Sequence, residues 1–266
     1  MPPGIPILLF SNIDEVIDAP EAEAASVTAA LGGLDREAVA LVLCSSRTRA
    51  EIEAFQQALA IRHPFVCERG CAAFVPAGYF PAEVPGARDV AGYHAIEVGR
   101  PHADIVQTLH QTAARLQIEI DGFSEMAVED VARECQVSLL QARLAKLREY
   151  GECFRIVDPA EATRQRLFKA LEGARLRCAA GGSYHSVTAA VDPGLAMRRI
   201  HTLFQQANGA VISVGSSEVA AEFAARMSSP PNGAGDHGNG QALRHWAQAQ
   251  VGVVATLRRW DARTAM

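Results

Sequence analysis

Aromatic residues are scarce in this 266-residue chain, at 6%. A core must therefore be built mainly from Ala, Val, Leu and Ile, and with 49% hydrophobic residues there is ample material for one. That content excludes a disordered chain. Charge of one sign is also missing: 25 basic against 30 acidic residues leaves a net charge of −5 with no long run of either kind. Nucleic acids and anionic membranes require clustered Lys and Arg, so neither is an expected partner. Long apolar runs are absent too. Ile5–Phe10 is far shorter than a signal-peptide core, and nothing approaches the ~18 apolar residues of a membrane span. A cytoplasmic location is expected. The six cysteines form no CxxC pair, and free thiols in a reducing compartment are the expectation. Cys67 and Cys71 beside His63 lack the second ligand pair that a tetrahedral metal site needs.

What is present is a repeated strand–helix pattern. Ile5–Phe10, Val39–Cys44 (VALVLC) and Gly209–Val214 (GAVISV) are continuous apolar runs, as in parallel strands buried on both faces. Phe65-Val66 begins another strand. Helices are expected at Pro20–Leu31, Thr48–Leu59, Gly194–Asn208, Glu218–Met227 and Gln241–Gln250, with Val251–Ala255 along the sheet edge and Ser228–Gly240 a loop. The middle of the chain differs in character. Helical patterns cover Ile105–Leu116, Met126–Tyr150 and Pro159–Gly173, with short strands at Phe154–Val157 and Leu176–Ala179. The reading is an α/β core domain of residues 1–90 and 187–266, a parallel sheet flanked by helices, interrupted by an inserted α/β domain of residues 91–186.

Ligands of open α/β sheets bind beyond the carboxyl ends of the strands. Three such ends are legible: Ser11–Glu15, Ser45–Thr48 and Gly215–Glu218. Each puts small polar residues between a buried strand and a helix start, where backbone N–H groups favour an anion. Arg47 would add a charge-assisted contact. Ser, Asn and Asp also serve as ordinary helix caps, so it is the three ends together that point to a phosphate- or carboxylate-binding cleft.

Five segments carry a family resemblance: LCSSRTRAEIEAF (Leu43–Phe55), PFVCERGCAAFVP (Pro64–Pro76), DGFSEMAVEDVA (Asp121–Ala132), ARLAKLREYGECF (Ala142–Phe154) and GGSYH (Gly181–His185). The chain resembles the haloacid dehalogenase superfamily of phosphatases, in the subgroup with an α/β cap. More narrowly it is similar to the mannosyl-3-phosphoglycerate phosphatases. The most specific element is Arg148-Glu149-Tyr150 with Glu152, which belongs to the cap of that subgroup. The resemblance implies a HAD-like core, Mg²⁺ as cofactor and a phosphomonoester substrate. It also implies a nucleophilic aspartate after the first strand, an acid/base aspartate two residues later, a phosphate-binding hydroxyl, a lysine, and metal-binding carboxylates after the last motif strand.

Carried onto this chain, the nucleophile position holds Asn12, the acid/base position Asp14 and the hydroxyl position Ser45, followed by Ser46 and Arg47. Val16 stands where the family usually has Thr. The lysine position holds Pro193, and the two metal-binding aspartates become Ser216 and Ala220. Asp14, Ser216 and Glu218 are what remains near a metal site. In the cap, Arg148, Glu149, Glu152 and His185 are the candidate substrate contacts, and Ser183 replaces an Arg frequent in the family. A carboxamide is a poorer nucleophile and metal ligand than a carboxylate, and proline supplies no cation. The expectation is a pseudophosphatase that binds a small phosphorylated metabolite or a protein partner. Two alternatives stay open: an active Mg²⁺-dependent phosphomonoester hydrolase with Asp14 as base, and an interaction protein with a closed cleft. Asp236 and His237 lie in the Gly-rich loop, and Trp246 and Trp260 are read as packing the C-terminal helix region or forming part of a subunit contact.

Overall fold

The computed structural model describes residues 7–12, 39–158, 160–209 and 211–215. The expected helices at Pro20–Leu31, Glu218–Met227 and Gln241–Gln250, the Ser228–Gly240 loop, Val251–Ala255, and the residues Asp14, Val16, Ser216, Glu218, Ala220, Asp236, His237, Trp246 and Trp260 lie outside the described residues.

Strands β1 (Ile7–Asn12), β2 (Val39–Cys44) and β3 (Phe65–Cys67) pair in parallel, and β11 (Ile212–Gly215) pairs in parallel with the other edge of β1. Their continuous apolar character has a direct cause. Ile7, Leu9, Val39, Leu41 and Leu43 enter a core beneath helix α1 (Arg49–Ala58), while Leu8, Phe10, Ala40 and Val42 enter a second core with α6 (Gly194–Asn208). Both faces are buried, so no polar alternation is possible. Helix α1 starts on Thr48, whose hydroxyl caps the Glu51 N–H while the Glu51 carboxylate returns to the Thr48 N–H.

The sheet does not stop at β3. Three antiparallel strands extend it: β4 (Ala72–Pro76), β6 (Tyr93–Glu97) and β5 (Arg88–Val90), giving the order β11-β1-β2-β3-β4-β6-β5. The first sheet thus runs past residue 91, to Glu97. Ala91 and Gly92, with φ of 47° and 85°, form a two-residue hairpin turn inside the sheet. The chain leaves this sheet after Glu97.

A second sheet of four antiparallel strands follows, in the order β7 (Ile120–Gly122), β8 (Gly151–Ile156), β10 (His185–Ala189), β9 (Leu176–Ala179). It extends to Ala189, beyond the expected edge at 186. Helices α2 (His102–Leu116) and α5 (Glu161–Gly173) cover one face, burying Leu109, Phe154, Leu167, Leu171 and Val187. Helices α3 (Val128–Cys135) and α4 (Leu139–Ala145) pack with Phe123, Cys153 and Tyr184 on the other. The helical pattern read across Met126–Tyr150 is thus two short helices. Gln136 adopts a left-handed conformation (φ 55°) that ends α3, and a Ser138–Gln141 capping box starts α4. Arg148–Tyr150 then form a turn leading into β8, which begins three residues before the expected Phe154.

All six cysteines are free. Among the described residues no group of three or more His, Cys, Asp or Glu is placed to hold a metal ion, and no helix is long and apolar enough to cross a membrane.

Candidate functional site

The carboxyl ends of the parallel strands face the second sheet. Asn12, last in β1, lies beside Cys44 in the parallel register, and Ser45–Thr48 follow directly. The serine loop is held by its own bonds. Ser45 N–H donates to the Val66 carbonyl (3.0 Å) and Arg47 N–H to the Ser45 hydroxyl (3.1 Å). Ser45 is buried and Ser46 exposed.

Across from this loop stands the Arg148–Tyr150 turn. Arg148 Nη1 donates to the Ser46 carbonyl (3.4 Å), Arg49 Nε reaches Glu149 (2.6 Å), and the Thr48 hydroxyl donates to the Leu144 carbonyl (3.0 Å). The Arg148 side chain is only 9% exposed, and among the described residues its Nε finds no hydrogen-bond partner. A buried, unmatched guanidinium donor is costly unless a ligand or water meets it. The structure therefore brings together Asn12, Ser45, Ser46, Arg47, Arg148 and Glu149 at one junction.

Pro193 joins them from the return crossover. It precedes α6, and a Cβ placed on Gly70 would come within 2.6 Å of the Pro193 Cα. Asp192 accepts from Gly194 N–H (2.9 Å) and pairs with Arg198. Neither lysine of the chain is placed at this junction. The chain contains two lysines, Lys146 and Lys169. Lys146 donates to the Phe123 and Met126 carbonyls in the second sheet's turn, and Lys169 is exposed on α5.

Glu152 and His185 lie on the face of the second sheet covered by α2 and α5. Glu152 lies opposite Val187 in register and is 1% exposed. Its carboxylate accepts from Ser124 N–H (3.3 Å) and Cys153 N–H (2.7 Å) and pairs with His102 (3.0 Å). Burial pushes its pKa up, but the His102 and Ser124 contacts outweigh this and hold it below the usual carboxylate value. His185 packs edge-on against Phe154 and Phe168, and burial holds its imidazole below the ordinary histidine value, helped by Arg164. Period-two alternation decides this: Cys153 and Ser186 point to one side, Glu152 and His185 to the other.

The sign for stability follows. A carboxylate lowered on folding contributes stability above its ordinary value of 4.5. That contribution is lost as pH falls through the lower folded value. Glu152→Gln is expected to cost about 1.5–3 kcal/mol at pH 7, with the difference from wild type closing below pH 4.5. Urea unfolding at stepped pH would show it; a pH-independent gap would contradict the assignment.

The sequence reading missed Glu68 and Arg69. Glu68 is fully buried, and its carboxylate accepts from Glu149 N–H (2.8 Å) and Tyr150 N–H (3.1 Å) while facing Arg148 at 3.9 Å. Arg69 Nε donates to the Ser186 hydroxyl (3.2 Å). The available signal was a charged pair, Glu68-Arg69, between two apolar strands. A groove of ≈ 510 Å³ lined by Val84, Ile96, Leu195, Arg199 and Leu203 is separate, sharing no residue with this junction.

The donor set among the described residues suits an anion better than Mg²⁺. Among the described residues the junction offers the Asn12 carboxamide and the Ser45 hydroxyl. Its carboxylates Glu68 and Glu149 are already engaged by N–H and guanidinium donors. Mg²⁺ prefers carboxylates and water in octahedral array. These residues do not fit it.

No family model matches the chain. In sequence it is 29% identical over 208 residues to a glucosyl-3-phosphoglycerate/mannosyl-3-phosphoglycerate phosphatase of Methanococcoides burtonii, covering 78% of this chain and 76% of that protein. A namesake from Persephonella marina is 28% identical over 178 residues, 67% of this chain and 65% of that one, just under two thirds of its length. A mannosyl-3-phosphoglycerate phosphatase of Pyrococcus furiosus is 30% identical over 145 residues, covering 54% and 58%. In structure, a haloacid dehalogenase-like hydrolase from Bacteroides thetaiotaomicron superposes with TM-score 0.54 at 12% identity, over 82% of this chain and 84% of that one. A Thermotoga maritima protein gives 0.53 at 11% identity, over 83% of each. The chain thus has the fold of haloacid dehalogenase-like hydrolases and is similar in sequence to the mannosyl-3-phosphoglycerate phosphatases.

Proposed function

We propose that the protein is a pseudophosphatase that binds a sugar-phosphate-type metabolite at the junction of its two sheets and does not hydrolyse it. The observation that carries this reading is the joint replacement at Asn12, Pro193, Ser216 and Ala220, in three separate segments. Each removes a different part of phosphoryl transfer: the nucleophile, the cation on the transferred group, and the metal ligands. The placement of Lys146 and Lys169 supports it, since neither replaces the missing cation. The binding half rests on Ser45, the serine-loop backbone and Arg148, whose unmatched Nε is suited to an anionic oxygen.

The test is binding against turnover with one compound. Mannosyl-3-phosphoglycerate at a hundred times its dissociation constant would stabilise the protein by about 2.7 kcal/mol, and Arg148→Ala is expected to weaken its binding by roughly tenfold or more. Phosphate release at high enzyme concentration, with Mg²⁺ and other divalent ions, is expected to stay at background. Mg²⁺-dependent release that Asp14→Ala abolishes would overturn the reading and establish the hydrolase alternative.

A further inference from the structure

Glu68, Arg69 and Gly70 have φ of 44°, 60° and 84°, three consecutive residues in the left-handed region. For the two that carry a Cβ this costs on the order of 1–2 kcal/mol each, and such strain persists only where surrounding contacts over-determine it. Those contacts run in two directions. The backbone of the turn faces the serine loop: Glu68 N–H donates to the Arg47 carbonyl (3.1 Å) and Arg69 N–H to the Ser45 carbonyl (3.1 Å). Its side chains face the second sheet, Glu68 through Glu149 N–H, Tyr150 N–H and Arg148, and Arg69 through Ser186. The segment and the residue after it, Cys71, touch both crossovers between the sheets. Val98 N–H and Gly99 N–H both donate to the Cys71 carbonyl (2.8 and 2.7 Å), and Gly70 lies against Pro193.

We propose that the Glu68–Gly70 turn is the coupling element of the molecule, a rigid two-sided bracket through which the serine loop and the cap sense each other's position. The physical basis is that one short segment, locked in an uncommon backbone conformation, supplies both sets of bonds. A shift of the serine loop moves the Glu68 and Arg69 amides, and the attached side chains carry it to Glu149, Tyr150 and Ser186. Any anion held by the serine loop then alters cap stability, and by linkage the cap alters anion affinity equally. The bracket itself does not depend on which ligand binds, or on whether one does.

Hydrogen–deuterium exchange on the full chain tests it. Glu68→Gln keeps the shape but turns one acceptor into a donor facing an N–H. Exchange at the Glu149 and Tyr150 amides is expected to rise roughly tenfold or more. Coupling further requires that the Glu68 and Arg69 amides, bonded to the serine loop, rise with them. Arg69→Ala, at an exposed side chain, is expected to shift the same four amides in the same direction by less, and it decides the matter if Glu68→Gln does not fold. Change confined to Glu149 and Tyr150, or wild-type exchange in the variants that fold, would overturn coupling and leave an ordinary anchor. A second arm uses inorganic phosphate with the wild type: added protection at Glu149 and Tyr150 that Glu68→Gln abolishes is expected. Absence of phosphate binding would count against the anion reading of the cleft, while the exchange comparison without phosphate still decides the bracket.

Discussion

Gly70→Ala is expected to destabilise the protein by about 3 kcal/mol. Two effects add. A φ of 84° is open to glycine and strained for alanine. The new methyl would also sit 2.6 Å from the Pro193 Cα and 2.7 Å from its carbonyl oxygen. Both are backbone atoms, so no side chain can swing aside. Reduced freedom of the unfolded chain offsets about 0.4–1 kcal/mol of this. Gly78 supplies the control. Its φ is 74° and nothing lies within 4 Å of a built Cβ, so Gly78→Ala is expected to cost only the backbone strain, about 1 kcal/mol. Chemical denaturation of the two variants separates the terms. Equal losses would mean that the close approach of the Glu68–Gly70 turn to the return crossover is not held in solution.

On the proposed pseudophosphatase reading, phosphate release is expected to require several changes at once. Asn12→Asp alone is expected to give no phosphate release above background, because the cation at 193 and the carboxylates at 216 and 220 are still missing. The fourfold variant Asn12→Asp, Pro193→Lys, Ser216→Asp and Ala220→Asp is expected to raise Mg²⁺-dependent release from mannosyl-3-phosphoglycerate by at least about a thousandfold. The fold admits the lysine. Position 193 has φ −58° and ψ −30°, which any residue adopts, and it contacts Gly70 through its backbone rather than its ring. Activity in Asn12→Asp alone would show that the rest of the site is functional as it stands. A folded but inactive fourfold variant would place further loss in the cap, where Ser183 is the first position to examine.

The parallel core was legible because its signal is local and redundant. Ile7–Phe10 and Val39–Cys44 are buried on both faces, and only continuous apolar runs satisfy that demand. The start of α1 was legible for a similar reason, since Thr48 and Glu51 cap each other three residues apart. The antiparallel extension was not. Arg88–Val90 is a short, largely exposed edge strand, and the turn at Ala91-Gly92 becomes visible only when its partner strand is in place. The same holds for Ile120–Gly122, three residues whose strand character exists only through pairing with β8.

The site divides along the same line. The sequence by itself determined the chemistry available: a carboxamide at Asn12, a proline at Pro193, and two lysines in the whole chain. These are identities, and no folding changes what an amide or a proline can do. Tertiary structure alone decided which of the remaining residues meet. Arg148 reaches the serine loop and Glu149 reaches Arg49 at the start of α1, while Glu152 and His185, close to them in sequence or in strand register, turn to the face covered by α2 and α5. It also decided that Glu68, whose charge between two apolar strands only marked it, accepts from the Glu149 and Tyr150 amides of the second sheet's turn. The reason is distance along the chain. Glu68 meets residues some eighty positions away, and a contact of that span leaves no periodicity or spacing for a sequence to display.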